Sequence, residues 1–385
     1  MKIKFDTTNQ PQMELIKAMG SDKRTVSEAA QESFAELLSP IVSEQYAVAG
    51  TSQIFYKDFN YTKGDSPTIA LDLLAAKDET WLSVWTQYMP GGAPTNTVTV
   101  PLEEFPLLPY RLDSAVSYLK KWAAKSRVDV VARVIERLFQ EILLRSEDNL
   151  YYVALAALVG STNPQTTNLG NLRRSNTINS FTLDDLNKLF TVFRRTSASW
   201  AGTSTLDTNI ARPTDLIMSP EMFERIRSFS YQPVNTVGGN FTAITANSQT
   251  SASAAVPLPE SERSALFNAA GTPNFFGTNI TVINELGVGQ RYTSLFASLV
   301  GSTAYPVLTG SATDTFDLTA DDLIIAVDAR KEFAMKGLAT DGAGSTLTLQ
   351  MDDQFIKRSE KLGLYGSVEM APFISETRGI FGLIV

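Results

Sequence analysis

The sequence predicts an α+β fold, and three observations carry that expectation. Residues 53–110 are rich in β-branched and aromatic side chains around a Gly/Pro turn, the pattern of strands joined by a hairpin. From Arg127 to Leu158 there is neither proline nor glycine, and Val131, Ile135, Leu138 and Ile142 recur at helical spacing. Beyond Gly160, short apolar runs alternate with amphipathic ones, as in a mixed sheet-and-helix domain.

Residues 1–52 read as an arm: short extended pieces with Pro11, then a helix from Thr25 to Val42 with Ala29, Phe34, Leu37 and Leu38 on one face. Either a neighbouring subunit or the body of the same chain must cover that face. Within 53–110, Thr80–Tyr88 and Thr95–Val100 flank the turn Pro90–Pro94 and predict a long hairpin. A lone hairpin is marginal in water, so it must lie on something. The preceding IFYKDFNYTKGD and TIALDLLA add strands or a lead-in. The helix that follows would span about 45 Å. It carries a Glu141/Arg145 pair on its wet side and ends at Gly160.

Further on, Thr182 caps a helix whose Leu186, Leu189, Phe190 and Phe193 share a face. Thr214–Phe229 reads as a buried strand, an N-cap at Ser219, Pro220 at the first helical position, and a helix. Residues 232–258, mostly small and polar, predict a long surface loop. More strands are expected at Asn279–Leu286, Asp322–Ala329, Ser345–Met351 and near the C-terminus.

Composition narrows the function. With 385 residues, 43% apolar and 19% charged, the chain packs as two or three folding units. Its longest nearly uncharged apolar stretch, Leu150–Gly160, is too short for a membrane helix of ~20 residues, and MKIKFDTTNQ has no signal core. There is no cysteine, which removes disulfides, thiolate metal sites and cysteine nucleophiles. There is no histidine, the usual general base near neutral pH. A net charge of −8 is the wrong sign for holding phosphates but suits a wall that must not adhere to nucleic acid.

No motif makes a strong case for catalysis. Ser117 and Lys120 fit the S-x-x-K pattern of acyl enzymes at two residues only. The pairs Asp184/Asp185, Asp321/Asp322 and Asp352/Asp353 offer carboxylates to a divalent ion, although acids in a first helical turn also complement its dipole. Gly342-Ala343-Gly344 lacks the lysine and following helix of a phosphate loop. Asn60, Asn240 and Asn279 match the glycan acceptor pattern without a secretory signal. Trp81, Trp85 and Tyr88 suit a core or subunit contact better than base stacking in acidic surroundings. No cofactor and no metal is expected.

Three stretches carry a resemblance: SRVDVVARVIERLFQEILLRSEDNLYYVALAALVG, PTDLIMSPEMFERIRSF, and DDLIIAVDARKEFAMKG with QFIKRSEKLGLYGSVEMAPFISETRGIFGLIV. In this order the chain resembles the HK97-type major capsid proteins of tailed bacteriophages. The resemblance implies an N-arm (1–52), an E-loop (53–110), a P-domain spine helix (111–160), an A-domain (161–320), P-domain strands and loop (321–365), and a return to the A-domain (366–385). It further implies a homo-oligomer of hexamers and pentamers, closing an icosahedral shell around double-stranded DNA. Portal and separate scaffold or decoration proteins are the other partners, and no membrane is involved. The location is the virion capsid, assembled in the host bacterial cytoplasm. Contacts between subunits are expected at Phe34 and Leu37, at Trp81 and Trp85, at the tip Pro90, Gly91, Gly92 and Pro94, and along 232–258.

Some relatives weld their shells with an isopeptide bond from an E-loop lysine to a P-domain asparagine. Lys57, Lys63 and Lys77 lie near the hairpin, but no asparagine follows Asn284, so a non-covalent shell is expected. The arm is too short for a cleavable scaffold, and a chain starting at Met1 is expected to keep its N-terminal segment. An encapsulin-type bacterial compartment, a Ser/Lys or acid-based enzyme, and a monomeric binding domain are the competing readings.

Overall fold

The computed structural model describes residues 10–21, 23–48, 50–65, 67–71, 103–125, 128–161, 170–176, 181–198, 213–228, 261, 273–308, 313–329, 333–341, 346–352, 361–374 and 377–385. They are mixed helix and sheet, and they divide into two units. The first takes Met1–Leu71, Leu102–Val153 and Ala334–Ser375; the second takes Ala154–Phe333 and Glu376–Val385.

The first unit contains α1 (Gln10–Met19), α2 (Arg24–Val48), β1 (Tyr56–Thr62), β2 (Thr68–Leu71), β3 (Glu103–Pro106), β4 (Tyr110–Leu119), α3 (Lys120–Ala124) and the start of α4 (Val128–Gly160). The strands β12 (Ala334–Thr340), β13 (Leu347–Asp352) and β14 (Lys361–Ile374) complete it. Pro11 stands in the first turn of α1, where a missing N–H costs little, so the extended opening expected there is helical instead. Helix α2 runs past the expected Val42 and through Pro40 to Val48, giving up the one backbone bond that Pro40 cannot donate. Ser27 Oγ donates to Met19 O (2.7 Å) and receives Gln31 Nε2 (2.9 Å), which ties the two helices together.

Strand β14 organises the sheet. It pairs antiparallel with β4 from Lys361↔Leu119 to Met370↔Tyr110, with β13 at Leu347↔Val368, and with β12 at Ala334↔Ile374; β1 then joins β12 in parallel. The stripe Val131, Ile135, Leu138 and Ile142 of α4 is buried, as its spacing predicts, in one cluster with Leu362, Leu364, Val368, Met370, Ile16, Met19 and Phe34. Gly366 allows the close approach: a Cβ there would lie 3.2 Å from Leu138 Cδ2 and 3.3 Å from Ile142 Cδ1.

The second unit holds β5 (Leu172–Arg174), α5 (Leu183–Ala198), β6 (Asp215–Met218), α6 (Pro220–Ser228), β7 (Asn274–Phe275), β8 (Thr278–Val282), α7 (Arg291–Val300), β9 (Ala304–Pro306), β10 (Thr313–Thr315), β11 (Leu323–Val327) and β15 (Ile380–Ile384). Its main sheet has the order β5-β15-β11-β6-β8-β7. Thr182 caps α5 as expected: its Oγ1 accepts the Asp185 N–H (3.2 Å), while the Asp185 carboxylate accepts the Thr182 N–H (3.0 Å) and hydroxyl (2.6 Å). Ser219 Oγ accepts the Met222 N–H (3.1 Å) ahead of Pro220, the expected start of α6. Leu186, Leu189 and Phe193 pack with Leu216, Met218, Ile324 and Leu383.

Helical arm, strand pair, long helix, mixed-sheet unit and strands returning to each sheet follow the order that the HK97-type resemblance implies. One boundary differs. Strand β11 pairs with β6 and β15 inside the second unit, so the returning strands of the first begin at Ala334 rather than 321, and β14 continues past 366 to Ile374. The run is buried at every position, as in a central strand. Nothing in such a uniform pattern says which sheet receives it.

Candidate assembly interface

Strands β2 and β3 pair antiparallel from Thr68↔Pro106 to Leu71↔Glu103, so the chain leaves and returns side by side around residues 72–102. The expected hairpin, with Trp81, Trp85, Pro90, Gly91, Gly92 and Pro94, lies outside the described residues, as does 232–258. At the base of the excursion the Leu107 N–H donates to Pro67 O (2.9 Å), and the Leu107 side chain is buried with Tyr61, Ala339 and Ala371. Its neighbour Leu108 is 87% exposed, the most exposed of the large apolar residues described. Sequence reasoning missed Leu108. The signal was the string PLLP (106–109), whose prolines hold the backbone extended so that adjacent leucines diverge.

The two arm residues separate. Phe34, expected at a subunit contact, is 1% exposed within the core of its own unit. The same chain covers that part of the α2 face. Leu37, one turn on, is 43% exposed and remains free to serve. On α4, Leu144 and Tyr152 also face solvent.

The chain between arm and sheet is fixed to α4 by Glu147. Its carboxylate accepts the Thr51 N–H (3.2 Å), the Ser52 N–H (3.1 Å) and the Ser52 hydroxyl (2.6 Å), and the Thr51 hydroxyl is 3.3 Å away. Gly50 has φ +122°, and a Cβ there would collide with the Glu147 carboxylate, so both conformation and space require glycine. Next to it, the Tyr56 hydroxyl donates to Leu150 O (3.0 Å). Burial holds that phenol well above its ordinary range, so it stays a donor.

In the second unit Arg174 and Asp321 form a two-pronged ion pair, 2.8 Å at each prong, with both side chains 1% exposed. Arg174 also donates to Thr315 O (2.7 Å), and Asp321 accepts the Asp317 N–H (2.7 Å). Asp322 receives the Ser219 hydroxyl and the Leu323 N–H (2.7 Å); burial, outweighing these bonds, pushes its carboxyl above the usual range. Asp184 pairs with Lys188. These acids are thus tied to protein groups, and among the described residues no cluster of three or more metal-ligating side chains occurs. Ser117 faces outward on β4 opposite Gly363, and Lys120 opens α3. Gly342-Ala343-Gly344 and Asp353 lie outside the described residues. No described helix is long and apolar enough to cross a membrane.

No family profile matches the chain, and no curated protein matches it. Solved structures do. The capsid of an empty GTA particle is 10% identical, with 87% of this chain and 90% of that one covered at a TM-score of 0.47. The capsid of the cyanophage P-SCSP1u is 13% identical, with 85% of each covered at 0.45. An encapsulin complex of Synechococcus elongatus is 9% identical, with 73% of this chain and 75% of that one covered at 0.40.

Proposed function

We propose that this chain is the major capsid protein of a tailed bacteriophage. Copies gather as hexamers and pentamers and close an icosahedral shell around double-stranded DNA in the cytoplasm of the bacterial host. Portal and separate scaffold or decoration proteins complete the particle. The observation that carries this reading is the element order, in which a 33-residue helix stands between the paired strands β2 and β3 and a second, mixed-sheet unit. Exposed Leu37 and Leu108 supply apolar surface for a neighbour, and a closed shell repeats each modest contact many times. The net charge of −8 keeps the wall from clinging to its contents.

With no asparagine after Asn284, the shell is held without lysine–asparagine bonds. Mature particles boiled in detergent should run as single subunits, and a cross-linked ladder would refute this. Negative-stain electron microscopy of the purified chain, expressed with and without neighbouring phage genes, tests the main reading. Closed shells, or rings of five and six subunits, support it, with DNA inside favouring the capsid and a protein cargo without DNA favouring an encapsulin. Monomers under every condition would sink it.

A further inference from the structure

Two arginines sit side by side on β5 with opposite fates. Successive side chains of a strand point to opposite faces, so Arg174 and Arg173 are offered different surroundings. Arg174 finds Asp321 and is bonded through both Nη nitrogens, although its Nε, like that of Arg173, has no partner. Arg173 pairs in register with Leu383, a member of the apolar cluster that includes Leu186 and Leu189. The residue is 6% exposed, yet among the described residues its guanidinium makes neither a hydrogen bond nor an ion pair. Its Nε is sealed off without a partner, whereas the two Nη nitrogens are not sealed. Burial alone, with no counter-charge, depresses its proton affinity.

That state is costly, because a buried charge is ordinarily paired or bonded. A leucine or methionine would fill the same apolar space without the penalty. Arginine can bury its methylenes while keeping its head accessible, and here the unsealed Nη nitrogens are the part of the side chain left for a partner. The fork matches one ligand chemistry best, a planar oxyanion taken by two parallel N–H bonds, which is how Arg174 already takes a carboxylate. The chain carries 41 acidic residues against 33 basic ones, so a neighbouring copy brings surplus carboxylates to any shared boundary.

We propose that Arg173 is an inter-subunit receptor, its guanidinium completed by an aspartate or glutamate carboxylate of a second copy of this chain. The proposal rests on the shell reading and adds to it a specific polar contact in the second unit. Formation of the contact supplies a counter-charge that none of the described residues provides, so assembly relieves a strain carried by the free chain.

The test compares full-length wild type with Arg173→Met and Arg173→Lys, each measured twice. Thermal unfolding of unassembled subunits reports the free chain, and sedimentation across a concentration series reports association. Arg173→Met should leave the free subunit as stable as wild type or more so, while raising the concentration needed for assembly at least about tenfold, the loss of one charge-assisted contact. Arg173→Lys keeps stem and charge but loses the fork, so it should fold normally and assemble at an intermediate concentration. If Arg173→Met fails to fold, or unfolds at a clearly lower temperature, Arg173 has a partner in its own chain and the proposal falls. Wild-type assembly by both variants also overturns it while leaving the shell reading intact. A wild-type chain that never associates removes both. Inorganic phosphate provides a further arm: if it stabilises the free wild type but not Arg173→Met, the site takes a free anion and the second-copy form is wrong.

Discussion

Replacing Asp321 by asparagine should strip the buried Arg174 of its counter-charge while preserving shape. The wild-type pair is two-pronged at 2.8 Å, both side chains are 1% exposed, and Asp321 additionally holds the Asp317 N–H. Removing one member of a buried pair costs about 3–5 kcal/mol, because the survivor is left charged and dry. Asp314, 3.5 Å from Arg174 but 41% exposed, offsets part of this, so the lower end of about 3 kcal/mol is expected. At roughly 2–4 °C per kcal/mol, the unfolding midpoint of the free subunit should drop by about 6–12 °C. Urea titration of unassembled subunits, followed by far-ultraviolet circular dichroism and tryptophan fluorescence, is the assay. The double variant Arg174→Met with Asp321→Leu should recover most of the loss, since an apolar pair of similar volume carries no desolvation cost. A single-variant loss under about 1 kcal/mol, or a double variant no better than the single, would refute the reasoning.

Three further outcomes are expected. Glu147→Ala removes the acceptor of the Thr51 and Ser52 amides and should destabilise the first unit by about 2 kcal/mol; those amides should lose protection from hydrogen exchange, and unchanged protection would contradict the anchor. Gly20→Ala puts a Cβ 2.5 Å from the Ala124 backbone nitrogen, where α3 must shift, at a cost of about 1–3 kcal/mol visible in chemical denaturation; a neutral result would mean that the packing there is loose. Asp322 has a folded-state proton affinity raised by burial, so its contribution to stability is full below the ordinary carboxylate range and is lost as pH rises through the raised value. Between those two values stability should fall with rising pH, and Asp322→Asn should flatten that slope, whereas an unchanged slope would assign it to another group.

Local chemistry was legible in the sequence. The caps at Thr182 and Ser219-Pro220 appear where expected because a cap is set by residues three apart, and the stripe from Val131 to Ile142 states its own buried face. Long-range pairings were not legible. Glu147 binds residues 95 and 96 positions away, and Arg174 finds Asp321 across 147 positions, separations at which no spacing rule applies. The same limit explains Phe34: its pattern required an apolar cover but could not name the chain that provides it. Strand β4 alternates clearly, yet its partner β14 is interrupted by Gly363 and Gly366, the second of which admits Leu138 and Ile142 of the packed helix, and the two glycines blur the strand signal.

The position of β15 has a consequence for synthesis on the ribosome. It is an inner strand, lying between β5 and β11, and its Gly382 N–H donates to Asn171 O (2.9 Å). Until Ile380–Ile384 has emerged, β5 and β11 have no strand joining them, although both were translated earlier. Translation thereby imposes a delay: the second unit's sheet stays split while the polypeptide is still growing. A chain broken off before Ile380 would expose two unsatisfied edges instead of a finished surface. Such fragments would be marked for chaperones or proteases rather than admitted among complete subunits.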